Sequence, residues 1–260
     1  MKIDLKGRVA VVTGGGRGIG EAAARALGEA GASLVVAARS SSEIERVAAE
    51  LEMAGHAAIA VVCDVTQPES VARLKAAAEE RFGSVDILVS NAGVANSAPL
   101  HRVSLAEWER LFAVNATGAF LCAQAFAPAM AGRGWGRIVH VASIAGRTAA
   151  AYISTYAATK HALVGLTRAL AAEYAAQGVT VNAVCPGYVD TRMTDESVER
   201  ITAKTGMATE EARQRVVAMN PQKRLIEAVE VAFVITMLCD ARARGMNGQT
   251  IGIDGGAFLG

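Results

Sequence analysis

Two patterns of hydrophobic positions alternate along the chain. Short, nearly continuous runs of apolar and β-branched residues are each followed by a longer alanine-rich stretch that carries polar residues at helical spacing. Strands that are apolar on both faces are typical of parallel sheets covered by helices, so the alternation predicts an α/β fold with a doubly wound parallel sheet. Seven strands are predicted, at residues 8–12, 33–38, 58–63, 86–90, 137–142, 180–185 and 250–253.

Helix starts are marked by a hydroxyl residue three positions before a glutamate, the pattern of a capping box. It occurs at residues 40–43, 66–69 and 104–107. One long, charged segment, residues 190–224, interrupts the alternation and predicts a helical insertion or lid. Because the chain shows neither an internal repeat nor a linker, we expect a single domain over residues 1–260.

Composition excludes several classes of protein. The chain has 260 residues, with 26 Lys and Arg against 25 Asp and Glu, and this balance argues against nucleic acid as a partner. Hydrophobic residues make up 52%, yet no stretch approaches the roughly 18 uninterrupted apolar residues of a membrane span, and the run at residues 119–131 is broken by Gln124 and Pro128. Because that run is too short to span a membrane and the first residues lack an apolar signal segment, we expect a cytoplasmic protein.

The cysteines and histidines do not have the spacing of a metal site. The four cysteines, at positions 63, 122, 185 and 239, lie in apolar surroundings and form no C-x-x-C pair, which predicts buried free thiols. The four histidines are isolated from one another, and so no metal ion is expected.

A glycine-rich turn follows the first strand and opens a helix. Its residues are Gly14, Gly15, Gly16, Arg17, Gly18, Ile19 and Gly20. Glycines at such a turn allow the backbone to approach a pyrophosphate, and the helix N-terminus offers free N–H groups. A plain strand-to-helix turn is the alternative, but a second strand follows the helix, which favours a dinucleotide-binding Rossmann fold.

The end of the second strand bears on which nicotinamide cofactor binds. An acidic residue there would bind the ribose hydroxyl of NAD, whereas this chain has Arg39. Together with Arg17, Arg39 offers guanidinium groups suited to a 2′-phosphate, although both could be solvated surface residues. We therefore expect NADP(H) rather than NAD(H).

Four polar residues form the candidate catalytic group. Tyr156 and Lys160 share one face of a predicted helix, where the ammonium would favour ionisation of the phenol. Ser143 follows the fifth strand at the sheet edge where ligands bind, and its hydroxyl could hold a carbonyl. Asn115 lies in an apolar helix, where a structural hydrogen bond and a water-holding role explain it equally well.

Taken in order, these motifs resemble those of the classical short-chain dehydrogenase/reductase family over essentially the whole chain, and in particular its 3-oxoacyl thioester reductases and ketoreductases. The matching residues are Thr13, Gly14, Gly18, Gly20, Asp64, Asn91, Ala92, Gly93, Asn115, Ser143, Tyr156, Lys160, Pro186 and Gly187. The resemblance implies that Tyr156 donates a proton, Ser143 orients the carbonyl, Lys160 holds the nicotinamide ribose, and Asn115 anchors a water.

The resemblance also implies further cofactor contacts and an assembly. Asp64 and Val65 would contact the adenine, Asn91 its ribose, and Val189 and Thr191 the nicotinamide amide. The family is typically tetrameric, and alanine-rich helices over residues 119–130 and 157–172 would suit the interfaces of a homotetramer.

The substrate is less defined than the reaction. Positions that would match the basic residues of carrier-dependent relatives hold Gly134 and Ala172, and those that would match carboxylate-binding residues of 3-hydroxybutyrate dehydrogenases hold Ala145 and Ile153. The expected pocket residues are Ile144, Ile153 and Tyr188. They favour an apolar ketone or acyl thioester over a free acid.

The leading hypothesis is therefore NADPH-dependent reduction of a ketone or 3-oxoacyl thioester to the secondary alcohol. The alternatives are an NAD-dependent dehydrogenase of an apolar or cyclic secondary alcohol, and a nucleotide-sensing module without turnover. The mixed charges of residues 190–224 are interpreted as a solvated face, with a clamp for a coenzyme A phosphate as the alternative.

Overall fold

The computed structural model describes residues 2–259 and contains one seven-stranded parallel sheet. The strand order is β3-β2-β1-β4-β5-β6-β7. The strands are β1 (Val9–Thr13), β2 (Ser33–Ala38), β3 (Ala58–Val62), β4 (Ile87–Ser90), β5 (Gly136–Val141), β6 (Val179–Pro186) and β7 (Thr250–Ile253). All seven predicted strands are confirmed, and every strand end lies within one residue of the predicted one.

Helices connect the strands and cover both faces of the sheet. They are α1 (Gly18–Glu29), α2 (Ser41–Met53), α3 (Pro68–Phe82), α4 (Leu105–Phe112), α5 (Gly118–Gly132), α6 (Ser154–Tyr174), α7 (Arg192–Thr205), α8 (Thr209–Ala218) and α9 (Ala228–Cys239). Successive residues of β1 point to opposite sides, so Ala10 and Val12 pack in one core and Val9 and Val11 in the other. The doubly wound Rossmann fold is thus confirmed.

Only one of the three predicted capping boxes forms its expected bond. Ser104 accepts a hydrogen bond from the Glu107 amide at 3.2 Å. The Ser40 side chain makes no capping bond, and α3 begins one residue late, after Gln67. The Thr66 hydroxyl instead donates to the Asp64 carboxylate at 2.8 Å and accepts from the Gln67 side chain at 3.2 Å.

The segment 190–224 is helical, as predicted, and consists mainly of α7 and α8. We call it the lid. Its small core is formed by Val198, Ala212 and Val216, with Tyr188 packed against it. A parallel bridge between Val189 and Ile226 joins the two ends of the segment, so that the lid projects from the carboxyl end of β6.

One continuous helical stretch, Leu105–Gly132, is long and apolar enough to cross a membrane by length and composition. It has 28 residues, its most apolar 18-residue window has a mean hydropathy of 1.3, and 44% of that window is buried inside the protein. Phe126 and Met130 from this stretch lie in the core beside the sheet. Such packing is that of a core helix, and the stretch is weak evidence for a membrane span.

The cysteine prediction is confirmed. All four thiols are free and buried, namely Cys63, Cys122, Cys185 and Cys239. Burial raises the pKa of Cys122 and of Cys239 to about 12, so these thiols stay protonated at neutral pH.

Candidate active site

A cavity of about 890 Å³ opens at the carboxyl edge of the sheet. It lies where β1 separates β2 from β4, the point at which open α/β sheets bind ligands. Twelve of the predicted cofactor contacts line it: Gly14, Gly16, Arg17, Gly18, Ile19, Arg39, Asp64, Val65, Asn91, Ala92, Gly93 and Thr191. The other six do not: Gly20, Tyr156, Lys160, Pro186, Gly187 and Val189.

The glycine loop is held by close approaches between backbone segments. Gly14 has a positive φ of +63°, and a Cβ atom on Gly20 would lie 2.2 Å from the Gly14 carbonyl oxygen. Helix α1 starts beside this contact, and its N-cap residue, Arg17, provides no side-chain capping bond. The first amides of α1 therefore lack a side-chain acceptor and are free for an anionic ligand.

Asn91 supports the glycine loop directly. Its amide nitrogen donates to the carbonyl oxygens of Thr13 and Gly14 at 3.1 and 2.9 Å. The Thr13 hydroxyl in turn accepts from the backbone amides of Asn91 and Ala92 at 3.1 and 3.2 Å. The side-chain N–H groups of Asn91 are thus committed to the loop, so a ligand can use only its oxygen or its backbone.

At the end of the cavity near β2 and β3, positive and negative groups alternate. Arg17 pairs with Glu43 at 3.4 Å, and both line the cavity. Arg39 is exposed at the end of β2. Hydrogen bonds from Thr66 and the charge of Arg39 lower the pKa of the Asp64 carboxyl. The charge of Arg17 is therefore shared with Glu43, a contact that the sequence did not indicate.

Lys160 is buried, only 5% exposed, on the first turns of α6. Its ammonium donates to the Val141 carbonyl oxygen at 2.9 Å and lies 5.7 Å from the centre of the Tyr156 ring. Burial lowers the pKa of Lys160 to about 8. At neutral pH, the ammonium therefore still carries its charge beside the phenol.

Tyr156 and Ser143 face each other where β5 ends and α6 begins. Burial raises the pKa of the Tyr156 phenol, and the neighbouring Ser143 hydroxyl offsets part of that rise. The direction is opposite to the one expected from Lys160 alone, because removal of the phenol from water is the largest contribution and outweighs the hydrogen bond to Ser143. The Tyr156 side chain is consequently a protonated donor at neutral pH in the free protein.

Asn115 is 1% exposed and lies in a π-helical turn, Ala113–Thr117, between α4 and α5. Its side-chain amide binds the backbone of Val94, with distances of 2.8 Å to the amide and 2.9 Å to the carbonyl. It also donates to the Thr159 hydroxyl at 3.0 Å. The side chain therefore has a structural role in joining this turn to the loop after β4 and to α6, and whether it also holds a water stays a prediction.

Thr159 is a site residue that the sequence did not reveal. Its buried hydroxyl accepts from Asn115 and donates to the backbone carbonyl of Tyr156 at 2.8 Å. The hydroxyl thus links the π-helical turn to the start of α6, which carries both Tyr156 and Lys160. A threonine next to the lysine in a helix gives no signal of such a link, because its partner lies 44 positions away.

The three predicted pocket residues lie around Tyr156 but outside the lining of the large cavity. Ile144 begins the short helical turn after Ser143, and Ile153 directly precedes α6. Tyr188 lies close enough for its charge to raise the pKa of Tyr156, and it also packs on the lid core.

A sequence model described as short chain dehydrogenase matches residues 8–202. The chain belongs to the classical short-chain dehydrogenase/reductase family. It is an NAD(P)-dependent oxidoreductase that acts on CH–OH groups.

Relatives from this family match the chain over nearly its full length. Cis-4-hydroxycyclohexanecarboxylate dehydrogenase from Sinomonas cyclohexanicum is 41% identical over 96% of both chains. A 3-oxoacyl-[acyl-carrier-protein] reductase from Aquifex aeolicus is 35% identical, over 99% of this chain and 100% of the relative. A crystal structure of an actinorhodin polyketide ketoreductase variant with NADPH superposes with a TM-score of 0.93, at 37% identity, over 96% of this chain and 97% of that one.

Proposed function

We propose that this short-chain dehydrogenase/reductase is an NADPH-dependent carbonyl reductase that converts a ketone or 3-oxoacyl thioester to the secondary alcohol. The observation that carries the proposal is the meeting of Ser143, Tyr156 and Lys160 at the carboxyl end of β5. Burial raises the pKa of the Tyr156 phenol, which keeps it protonated, and this is the state that reduction requires.

Each of the three side chains has a defined part in the proposed reaction. The Ser143 hydroxyl donates a hydrogen bond to the substrate carbonyl oxygen and holds it against Tyr156. The phenol O–H bond of Tyr156 breaks, and its proton passes to that oxygen as the C–H bond forms at carbon. The Lys160 ammonium stabilises the phenolate that remains, because an opposite charge nearby favours the ionised form. NADPH supplies the hydride for this step when it is bound.

The residues around the glycine loop fit a dinucleotide. The close approach of Gly14 and Gly20 and the uncapped start of α1 leave backbone amides open to a pyrophosphate. We propose that Gly14, Gly16, Gly18 and Ile19 hold the pyrophosphate, and that Asp64 and Val65 contact the adenine. Asn91 would act mainly by fixing the loop, since its side-chain N–H groups already bind Thr13 and Gly14.

The preference for NADPH rests on Arg39 at the end of β2. Its exposed guanidinium can pair with a 2′-phosphate, and β2 has no carboxylate at its end that would repel one. Glu43 opposes this preference through its pair with Arg17. We therefore expect Arg39→Gln to weaken NADPH binding more than NADH binding, and Glu43→Gln to shift the preference further towards NADPH.

A second candidate is dehydrogenation of a cyclic secondary alcohol with NAD. It is favoured by the 41% identity to a dehydrogenase named for a hydroxycyclohexanecarboxylate. The two candidates use the same three side chains in opposite directions, and the cofactor preference separates them. NADH-selective binding would favour the dehydrogenase.

The experiment that tests the proposal follows loss of reduced-nicotinamide absorbance with acetoacetyl-CoA and with cyclic ketones, using NADPH and NADH in parallel. We expect Tyr156→Phe to lower kcat by about 10²- to 10⁴-fold without weakening NADPH binding, because it removes only the proton donor. Tyr174→Phe, on the far end of α6, is the matched control and should leave kcat unchanged. NADPH binding without turnover of any carbonyl or alcohol would instead support a nucleotide-sensing module.

We also propose that the enzyme is a homotetramer. Phe120 on α5 is 43% exposed, and an apolar side chain on that helix would suit burial against another copy. Light scattering of the purified protein measures the assembly directly.

A further inference from the structure

One face of α7 looks into the cavity. Met193, Glu196 and Arg200 recur at helical spacing along α7, and all three line the cavity. Lys204, one turn further along the same face, donates to the Ser97 carbonyl oxygen at 2.7 Å. This bond fixes the second half of α7 above the loop that follows β4. Arg200 therefore lies over the part of the cavity that this loop borders.

The other arginines of the lid have their charge matched by a carboxylate. Arg192 pairs with Glu196 at 3.3 Å, Arg213 with Asp190 at 2.8 Å, Arg215 with Glu211 at 3.1 Å, and Arg224 with Glu230 at 2.5 Å. Arg200 differs from them. Within residues 2–259 it forms no ion pair, one terminal nitrogen donates to the neutral Ser197 hydroxyl at 2.8 Å, and its Nε is buried without any partner.

Such an arrangement is unfavourable unless a ligand completes it. A guanidinium nitrogen that is removed from water and left unpaired costs free energy, whereas an oxyanion accepts from two guanidinium nitrogens at once. Glu196 is the carboxylate closest along the helix face, but its oxygen is directed to Arg192. The cavity therefore presents an unneutralised cation at Arg200.

The position of Arg200 separates it from the part of the cavity that suits a pyrophosphate. Thr191, the N-cap of α7, lies by the glycine loop, since a Cβ atom on Gly18 would be 3.1 Å from its methyl carbon. Arg200 follows nine residues later, which is about 13 Å along a helix. On the opposite side, the loop after β4 carries Val94, whose backbone is bound to Asn115. Arg200 thus lies away from the glycine loop, on the side of the cavity that is bordered by the loop after β4.

We infer that Arg200 is a specificity-determining residue that binds an oxyanion on the substrate, a carboxylate or a phosphate, distant from the reacting carbonyl. The inference rests on the proposed reductase function for the chemistry at Tyr156, but the binding itself does not require turnover. It differs from the expectation, drawn from Ile144, Ala145 and Ile153, of an apolar ketone or acyl thioester over a free acid, and it is compatible with the alternative that the lid binds a coenzyme A phosphate.

The test measures binding first. Cyclohexanecarboxylate and the uncharged cyclohexanecarboxamide are titrated by calorimetry into the complex with NADP⁺, using the wild type, Arg200→Gln and Arg200→Lys. The control is Arg215→Gln, which removes a paired lid arginine outside the cavity lining. We expect Arg200→Gln to weaken carboxylate binding by about 10- to 100-fold, Arg200→Lys to weaken it less, and amide and NADP⁺ binding to stay unchanged.

A second arm distinguishes a carboxylate from a phosphate. The effect of Arg200→Gln on kcat/KM is compared between 4-oxocyclohexanecarboxylate and its methyl ester, and between acetoacetyl-CoA and the phosphate-free acetoacetyl N-acetylcysteamine thioester. A loss confined to the oxo acid identifies a carboxylate, and a loss confined to the CoA thioester identifies a phosphate.

The inference is overturned if Arg200→Gln weakens only NADP⁺ binding, or if charged and uncharged ligands lose affinity equally. It is also overturned if the wild type neither binds nor turns over either charged probe in preference to its uncharged partner. Charge-dependent binding that needs Arg200, without any turnover, would retain the inference and overturn the proposed reductase. Turnover that does not change with substitution of Arg200 would retain the proposed reductase and overturn the inference. A thermal melt of each variant shows whether it folds.

Discussion

The glycine loop and the lid border the same cavity, but different interactions hold them in place. In the loop, backbone meets backbone, and the contact between Gly20 and Gly14 leaves no room for even a methyl group. The lid packs on a small apolar core of its own, and its surface carries exposed ion pairs such as Arg213 with Asp190 and Arg215 with Glu211. Exposed pairs of this kind contribute only about 0.2–1 kcal/mol each.

The difference indicates which part of the site tolerates amino-acid substitutions. The close backbone contact in the glycine loop requires glycine at both positions. A side chain added there would collide with backbone, which cannot move aside as a neighbouring side chain could. An exposed helix accepts different side chains at little cost to stability, as long as its small apolar core of Val198, Ala212 and Val216 remains. The loop is therefore expected to set cofactor binding, which the family shares, and the lid to set substrate choice.

Gly20→Ala is expected to have the largest effect. The new Cβ atom would lie 2.2 Å from the Gly14 carbonyl oxygen, so the backbone of the loop must move. We expect NADPH affinity to fall by at least about 100-fold and the free energy of unfolding by about 1–3 kcal/mol. Fluorescence titration and thermal melting measure both quantities.

The control for this change is Gly132→Ala at the end of α5, where a Cβ atom would meet nothing within 4 Å. It should leave NADPH affinity unchanged and should not lower the free energy of unfolding, which can rise by up to about 1 kcal/mol because alanine favours the helix. If Gly20→Ala bound NADPH within about threefold of the wild type, the loop would be more adaptable than its packing indicates.

Lys160→Met tests the charge that is buried beside Tyr156. Burial lowers the pKa of Lys160 from 10.5 to about 8, so below pH 8 the folded protein carries an ammonium that the unfolded chain keeps in water. Between about pH 8 and 10.5 the unfolded chain binds the extra proton, and wild-type stability rises with pH. The pKa difference corresponds to about 3 kcal/mol, from which loss of the Val141 hydrogen bond subtracts about 1 kcal/mol.

We therefore expect the methionine variant to be inactive but more stable than the wild type at pH 7, with a Tm a few degrees higher, and to lose that advantage towards pH 10. Melting curves from pH 6 to 10 check this. A stability difference that did not vary with pH would mean that the ammonium is solvated.

These two tests concern features that the sequence predicted in part. The strands were predictable because helices on both faces require continuous apolar runs, and the glycine loop because it joins a strand to a helix. Tyr156 and Lys160 were predictable from their helical spacing only together with the other motifs, since the spacing alone is a weak signal. The raised pKa of Tyr156 was not, because the burial of a side chain depends on segments distant in sequence.

The features of the site that could not be predicted from the sequence depend on contacts between residues that are distant along the chain. The Asn91 side chain reaches Thr13 across 78 positions, and a polar residue after a strand does not indicate its partner. The lack of an ion pair at Arg200 could not be predicted either. Glu196 lies four residues before Arg200, a spacing that predicts a pair, but in the structure Glu196 pairs with Arg192. At Ser40 the capping pattern was present, but the bond was not.

A smaller effect is expected where a side chain fixes the glycine loop from outside. Arg46 of α2 donates to the Gly16 carbonyl oxygen at 3.1 Å and to Glu21 at 2.7 Å. We expect Arg46→Met to raise the Kd for NADPH by about 3- to 10-fold, the value of one hydrogen bond from a charged group.

Arg25→Met is the matched control, because Arg25 pairs with the same two carboxylates, Glu21 and Glu50, but does not contact Gly16. Both variants should melt alike, and only the first should bind NADPH more weakly. Equal loss of affinity in the two would assign the effect to the ion-pair network and not to the bond with Gly16.

The smallest effect is expected for the corresponding contact of the lid. Lys204 is exposed, and its single bond to the Ser97 carbonyl oxygen connects α7 with the loop after β4. Lys204→Met should raise the KM of a carbonyl substrate by about two- to threefold, because an exposed hydrogen bond contributes a few tenths of a kcal/mol, and should leave kcat and the Kd for NADPH unchanged. Lys223→Met, which removes a similar bond to Ala218 within one end of the lid, is the control and should change none of the three. A rise in the Kd for NADPH with Lys204→Met would show that the lid also holds the cofactor. The expectation that the loop alone determines cofactor binding and the lid only substrate choice would then be wrong.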